Sequence, residues 1–143
     1  MRLLVQQCFL RNPIRAVYVS SLLRDDLSLR VRILAKVVPK GCFVADRTAG
    51  WLHGANMILA PNDHLMTPHV SVFHPAGHGR TRLEIVSSGE REVRPEDLMW
   101  LDGLLVTNPL RTALDLGRCL HRAQALAFAC RVKSEFGHAV VAG

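Results

Sequence analysis

Four histidines between residues 64 and 78 are the first candidates for chemistry: His64, His69, His74 and His78. Neutral imidazole is the commonest metal-binding side chain in proteins, so a metal centre has to be considered. On the strand predicted there, however, His69 and His74 are an odd number of positions apart and point to opposite faces. No cysteine lies in this stretch to complete a zinc-like ligand set. The spacing therefore predicts no metal site.

Arg111 and Asp115 form a second candidate, because residues four apart lie on the same side of a helix. The order of Arg before Asp is the less favourable one for a surface pair. We therefore favour a structural network of Arg111, Thr112 and Asp115, in which Asp115 accepts buried hydrogen bonds and Arg111 joins it. The alternative is a phosphate contact by Arg111, helped by the nearby helix N-terminus.

Catalytic and cofactor-binding patterns are missing from the sequence. No nucleophile lies on a Gly-x-Ser-x-Gly frame, and no glycine-rich phosphate loop or dinucleotide-binding turn occurs. Acidic residues are sparse and scattered, without a pair suited to a two-metal nuclease. The sequence predicts no catalytic residue and no cofactor.

The chain has 143 residues and a formal net charge of +6, and fifteen of its eighteen basic residues are Arg. Arginine suits contacts to phosphate, which favours an anionic partner, but dispersed charges fit a solvated surface equally well. No run approaches the roughly eighteen apolar residues of a membrane span. The four cysteines are far apart, which predicts reduced thiols in a cytoplasmic protein. They are Cys8, Cys42, Cys119 and Cys130.

The elements that position Arg111 and Asp115 are predicted at residues 104–118. The apolar run of residues 104–106 predicts a buried strand, and Thr107 or Asn108 then caps a helix that begins at Pro109. The helical spacing of four further residues predicts that they face the core. These residues are Leu110, Ala113, Leu114 and Gly117.

Before this unit, apolar runs at residues 2–10 and 14–21 predict a hairpin that turns at Arg11-Asn12-Pro13. Asp25 and Asp26 predict the start of a helix that Pro39 ends. Its basic residues Arg30, Arg32 and Lys36 are expected to face outward.

Residues 42–45 predict a short strand, and Asp46 is the expected N-cap of a helix that stops at Gly54. Further along the chain we predict a loop at 55–68, a strand at 69–74 and a second strand at 83–88 that returns from it. A helical turn at 95–98, a turn at 100–103 and a last helix at 121–136 complete the assignment. The predicted class is α+β, with a small, mostly antiparallel or mixed sheet packed against three to four helices in a single domain.

Three segments carry a resemblance to a known family. Residues 15–19 resemble an rGVYv strand, and residues 45–54 resemble an sh-x-TAA-x-LHG helix. Residues 103–118 contain every named letter of the pattern G-x-x-VT-x-P-x-RT-x-x-DL-x-R. Together they resemble the AbiEi-type antitoxins of abortive-infection, type IV toxin–antitoxin systems, including actinobacterial relatives, some with a C-terminal Vsr-like endonuclease domain. The matching motif residues, besides the Arg111 network, are Thr48, Ala49, Leu52, Gly54, Thr107 and Pro109.

The resemblance implies a domain division. In full-length relatives a winged helix-turn-helix that reads DNA precedes the first matched strand, so we expect residues 1–21 to be a hairpin remnant of its wing. Residues 22–137 are then the antitoxin-like core, and residues 138–143 are a tail. The recognition helix and the C-terminal nuclease have no expected counterpart.

The resemblance also implies a function. It is that of a non-catalytic antitoxin-like or transcriptional-regulator-like protein that binds a cognate, nucleotidyltransferase-like toxin and contacts DNA, if at all, without sequence preference. Two alternatives stay open at this point: an accessory remnant of a Vsr-like DNA endonuclease, and an inactive gene fragment. The sequence does not predict an oligomeric state.

Overall fold

The structure is a computed structural model that describes residues 3, 7–55, 69–78, 86–119 and 130. A hairpin is present as strands β1 (Leu10–Ile14) and β2 (Val17–Ser20), which pair antiparallel, but its first strand begins at Leu10 and does not span residues 2–10 as predicted. The predicted turn position is wrong, because Arg11-Asn12-Pro13 lies inside β1 and the chain turns at Arg15 and Ala16. Ala16 has a φ of 62°. Two-residue hairpin turns need this left-handed backbone region. The chain therefore turns at Arg15 and Ala16, although Asn12-Pro13 is a common turn sequence.

A five-stranded mixed sheet forms the centre of the fold. Its order is β5 (Val86–Arg91), β4 (Val70–Pro75), β3 (Phe43–Val44), β7 (Leu104–Thr107) and β6 (Leu98–Leu101). The β4–β5 and β3–β7 pairs are parallel, while β3–β4 and β6–β7 are antiparallel. The predicted α+β class is confirmed.

Two local predictions about this sheet are wrong. The strand after residue 83 does not return antiparallel, because β5 runs parallel to β4 from the Val70–Val86 pair to the Pro75–Arg91 pair. Residues 98–101 form a strand, and the turn is confined to Asp102 and Gly103, which have φ values of 45° and 83°.

Three α-helices lie in the described residues: α1 (Leu27–Val37), α2 (Asp46–Leu52) and α3 (Pro109–Cys119). A 3₁₀ turn at Pro95–Asp97 matches the predicted helical turn. α1 has its predicted cap, since Asp26 Oδ1 accepts a hydrogen bond from the Leu29 N–H at 2.9 Å. None of the helices in the described parts is long and apolar enough to cross a membrane.

The core lies where α1 and α2 pack against the sheet. Valines from three central strands meet Val31 and Leu34 of α1, and Ile14 brings the hairpin into the same cluster. Arg30 does not face outward as predicted, because its guanidinium lies 5.0 Å from the centre of the Trp51 ring and pairs with Asp25. The predicted loop 55–68 apart from Ala55, the predicted helix 121–136 apart from Cys130, and the tail 138–143 lie outside the described residues.

Candidate functional site

The corner where β7 meets α3 has the predicted cap. Asn108 Oδ1 accepts a hydrogen bond from the Arg111 N–H at 2.7 Å, and Pro109 is the first helical residue. The Asn108 side-chain amide also donates to the Glu96 carbonyl at 2.7 Å. One side chain therefore starts α3 and ties it to the 3₁₀ turn.

Thr112 is fully buried against the end of β7. Its hydroxyl lies 2.8 Å from the Thr107 hydroxyl and donates to the Asn108 carbonyl at 2.8 Å. A buried hydroxyl needs such partners, since an unmade hydrogen bond costs about 1–3 kcal/mol. These contacts place Thr112 in the packing of α3 on β7.

Arg111 lies between two carboxylates. Its Nη1 is 2.7 Å from Asp97 Oδ2, and its Nε is 3.1 Å from both oxygens of Asp115. Asp115 is only 5% exposed. A carboxylate that deep requires charged or hydrogen-bonding partners, and Arg111 supplies one of them.

Arg91 of β5 is the second charged partner of Asp115. Its Nη1 lies 3.4 Å from Asp115 Oδ2, and its Nη2 donates to Asp46 Oδ2 at 3.0 Å. Its guanidinium carbon lies 3.8 Å from the centre of the Phe73 ring, in cation–π contact. The side chains thus alternate in charge along a chain that we call the charge network: Asp97, Arg111, Asp115, Arg91 and Asp46.

Two members of the charge network have shifted pKa values. The Arg94 backbone N–H, donating to Asp97 at 3.1 Å, and then the Arg111 guanidinium lower the pKa of Asp97. Burial alone would lower the pKa of Arg91, but Asp46 and Asp115 outweigh burial and raise it. Both shifts favour the charged forms, so these groups stay ionised at neutral pH.

Sequence reasoning brought together Arg111, Thr112 and Asp115 but missed Arg91, Asp46 and Asp97. Asp46 was predicted to be an N-cap, which is wrong: the N-cap of α2 is Ala45, without a side-chain bond. Asp46 instead has a φ of 51° and pairs with Arg91. No local signal in the sequence reveals this pairing, because 45 positions separate the two residues.

The prediction that Leu110, Leu114 and Gly117 face the core is also wrong, whereas Ala113 packs against the buried Leu116 and Ala55. Leu110 is 70% exposed and Leu114 is 59% exposed. Gly117 is exposed as well, and Ala113 is half-buried. α3 instead buries the side that carries Thr112, Asp115 and Leu116. The reason is that the neighbours of α3 here are the polar groups of the charge network, which leave its leucines on the outside.

All members of the charge network except Asp46 line an open cleft of about 520 Å³. The arginines that line it nearly balance its acids, and Arg94 and Arg118 lie exposed at its rim. Partial loss of solvent around the thiol and the Asp46 carboxylate raise the pKa of the exposed Cys119, which makes it a poor nucleophile. The cleft is suited to recognising polar groups. Its lining is Arg91, Glu92, Val93, Arg94, Asp97, Arg111, Asp115, Arg118 and Cys119.

The histidines do not come together. His69 Nε2 lies 2.9 Å from Arg15 Nη1, His74 contacts Cys42, and His78 contacts the Ala76 carbonyl. Within the described residues, no three His, Cys, Asp or Glu side chains converge as metal ligands would. His64 lies outside those residues.

The motif residues of α2 are packing residues. The Thr48 hydroxyl accepts a hydrogen bond from the Ser71 N–H at 2.9 Å, which ties α2 to β4. Ala49 and Leu52 are buried in the core, and Gly54 ends the helix with a φ of 87°. Beyond α2, His53 Nε2 lies 2.8 Å from the Thr107 carbonyl and joins α2 to the end of β7.

A family model described as "AbiEi antitoxin C-terminal domain" matches residues 40–140, which is well over half of the chain. The matched range includes α2, the five-stranded sheet and α3. No curated protein and no solved structure matches the chain.

Proposed function

The chain belongs to the family of AbiEi antitoxins, whose C-terminal domain it matches, and from that membership we propose that it neutralises a toxin by binding it directly. In this proposal it acts in the cytoplasm without catalysis. Its partner is a nucleotidyltransferase-like toxin, as the sequence resemblance implies. Residues 22–137 form the core that carries the interaction.

The observation that carries this proposal is the outward apolar face of α3. Leu110 and Leu114 are one turn apart and both lie mostly in solvent. Arg118 continues the same face by one more turn, because positions four apart align along a helix. Contiguous apolar surface with a charged border is typical of a protein-binding site.

The charge network fixes the rotation of α3. Asp115 is held on the inner side by Arg91 of β5, Thr112 is held by Thr107 of β7, and Arg111 of α3 is held by Asp97 of the 3₁₀ turn. Turning the leucines inward would strip these polar groups of their partners. The outward leucines are therefore a built feature of the fold, and they present a rigid ridge to a partner.

The exposed arginines of the cleft that α3 helps to line favour an acidic border on the toxin. Arg94 lies at the rim of the cleft and is largely exposed, and Arg118 is exposed at the end of α3. Charge complementarity of this kind steers association and fixes the orientation of the partner more than it adds affinity.

DNA is the less favoured partner. The net charge of +6 would attract it, but several arginines lie within 4 Å of carboxylates in the protein. A groove-reading helix is not among the described elements. We expect weak, salt-sensitive and sequence-independent DNA binding or none. The paired arginines are Arg11, Arg30, Arg91, Arg94 and Arg111.

The test is a neutralisation assay with a nucleotidyltransferase-like toxin expressed in the same cells. The wild-type chain is expected to restore growth of cells that express the toxin and to be retained with tagged toxin in a pull-down. The double variant Leu110→Lys/Leu114→Lys is expected to lose both effects. Leu22→Lys is the matched control, because Leu22 is 96% exposed and lies far from α3 in the chain.

Thermal unfolding of all three proteins separates lost binding from lost folding. Substitutions at exposed positions change stability by about 0.5 kcal/mol or less, so the unfolding temperatures are expected to agree. Neutralisation by the folded double variant would overturn the role of α3. Failure of the wild-type chain to bind the toxin would overturn the direct-binding proposal.

A further inference from the structure

A second pair of reactive side chains lies away from the charge network. Cys42 directly precedes β3, and His74 belongs to β4. The two strands pair antiparallel with Phe43 opposite Phe73, so the same register puts Cys42 opposite His74. The Cys42 Sγ lies 3.3 Å from the Nε2 atom of His74. Sheet pairing therefore builds a thiol–imidazole contact into the fold.

Cys42 also lines a cavity of about 340 Å³. Its walls are mostly apolar and come from the end of α1, the loop after it, and β6 and β7. Lys40 contributes a positive charge, and Trp100, which is largely exposed, stands at its edge. Cavities of about 300–1,000 Å³ with few polar groups are the usual size of small-molecule sites.

We propose that Cys42, with His74 as its base, is a modification site that reacts with small uncharged electrophiles entering this cavity, hydrogen peroxide among them. Imidazole beside a thiol takes up its proton and leaves the nucleophilic thiolate. Cys42 itself is 6% exposed. Cys42 lines the cavity, so the cavity is the route by which a small reagent would reach it, and the mostly apolar lining favours uncharged reagents although Lys40 adds one positive charge.

Oxidation of Cys42 by hydrogen peroxide conserves atoms and electrons. The Cys42 proton passes to His74 Nε2, and the sulfur attacks one oxygen of hydrogen peroxide. An S–O bond forms while the O–O bond breaks, and the departing hydroxide takes the proton from His74 to leave as water. Sulfur is oxidised to a sulfenic acid and the peroxide is reduced, which is the first reversible step of thiol oxidation.

The test is competition among the thiols of the intact chain. Limiting iodoacetamide is added at neutral pH, and peptide mass spectrometry follows alkylation of Cys42, Cys8 and Cys119 with time. Cys8 and Cys119 are exposed. An ordinary thiol is only a few per cent ionised at pH 7, so a His-activated Cys42 is expected to react about tenfold faster than Cys8. Peroxide followed by dimedone is expected to label Cys42 first.

His74→Gln is expected to slow the alkylation of Cys42 by about tenfold and to leave the alkylation rate of Cys8 unchanged. His78→Gln is the matched control, because His78 contacts only an exposed backbone carbonyl in the described structure, and it is expected to change nothing. Slower reaction of Cys42 than of Cys8 in the folded wild-type chain would overturn the proposal whether or not the variants fold. An unchanged Cys42 rate in folded His74→Gln would overturn the role of His74.

Discussion

The two long helices of the described structure, α1 and α3, begin alike but pack differently. Each has eleven residues, and each begins with a side-chain cap, Asp26 in α1 and Asn108 in α3. α1 buries aliphatic side chains. α3 buries a threonine, a carboxylate and one leucine, and turns its other leucines to solvent. The buried sets are Val31, Ile33 and Leu34 in α1, and Thr112, Asp115 and Leu116 in α3.

The difference shows that the inner face of a helix is set by what it packs against. α1 lies on the valines of the sheet, so removal of apolar surface from water selects its buried face. α3 lies beside Arg91 and Asp97, so ion pairs and hydrogen bonds select its buried face. Leu110 and Leu114 of α3 therefore stay exposed and can contact a partner. The predictions below test this contrast.

Leu34→Ala should have the largest effect. Leu34 is fully buried, and truncation of such a residue costs about 3 to 4 kcal/mol of unfolding free energy through lost burial and the cavity left behind. Urea unfolding measures the loss, with Leu22→Ala as the exposed control. Because the loss is apolar, it should be the same at low and high salt. A loss below about 1 kcal/mol would contradict the packing of α1.

Asp115→Ala should come second, at about 2 to 3 kcal/mol. It leaves Arg91 and Arg111 without their shared carboxylate, but both keep about a fifth of their side chains exposed, which limits the cost. The loss should shrink at high salt, since ions screen the pairs that it removes. Asp115→Asn is the isosteric control and should cost less. A salt-independent loss would assign Asp115 to packing instead of charge.

Removal of either helix N-cap should cause the next largest loss of unfolding free energy. Asp26→Ala should cost about 1 kcal/mol, the usual value for a lost N-cap. Asn108→Ala should cost about 1 to 2 kcal/mol, because Asn108 also donates to the Glu96 carbonyl. Denaturation of both variants under the same conditions gives the comparison. Equal losses would mean that the tie between α3 and the 3₁₀ turn adds nothing.

The smallest expected effect is the pH dependence of stability that His53 causes. Burial lowers the pKa of His53, against the opposing effect of its hydrogen bond with the Thr107 carbonyl. As the pH falls, His53 is therefore protonated in the unfolded chain before it is protonated in the folded chain. The free energy of unfolding should decrease as the pH drops below the ordinary histidine pKa, around 6.5. Unfolding temperatures at pH 7.5 and 5.5 measure the decline, and His53→Gln should flatten it. An unchanged slope in that variant would assign the decline to other groups.

The predicted starts and ends of α1 and α3, which rest on neighbours in the sequence, agree with the structure, whereas two other local predictions, the turn at residues 11–13 and the cap at Asp46, do not. α1 starts after Asp26 and stops before Pro39, and β7 leads into α3 through Asn108 and Pro109. Caps and proline act within three or four residues of the backbone that they control. The chain itself therefore contains everything needed to place these boundaries.

Predictions that rest on distant partners failed. The parallel pairing of β4 with β5, the outward leucines of α3 and the pairing of Asp46 with Arg91 each depend on residues far apart in the chain. The helical spacing of Leu110 and Leu114 correctly indicates an apolar face. It does not indicate whether that face meets the protein's own core or a partner.

The sequence by itself determined the α+β class, the boundaries of α1 and α3, and the family, because helix caps and contiguous motifs are local. Only the tertiary structure decided which face of α3 is buried and which carboxylates surround Arg91 and Arg111. The physical reason is that burying a charge is favourable only where its counter-charges converge. That convergence arises when β5, the 3₁₀ turn, α2 and α3 pack side by side.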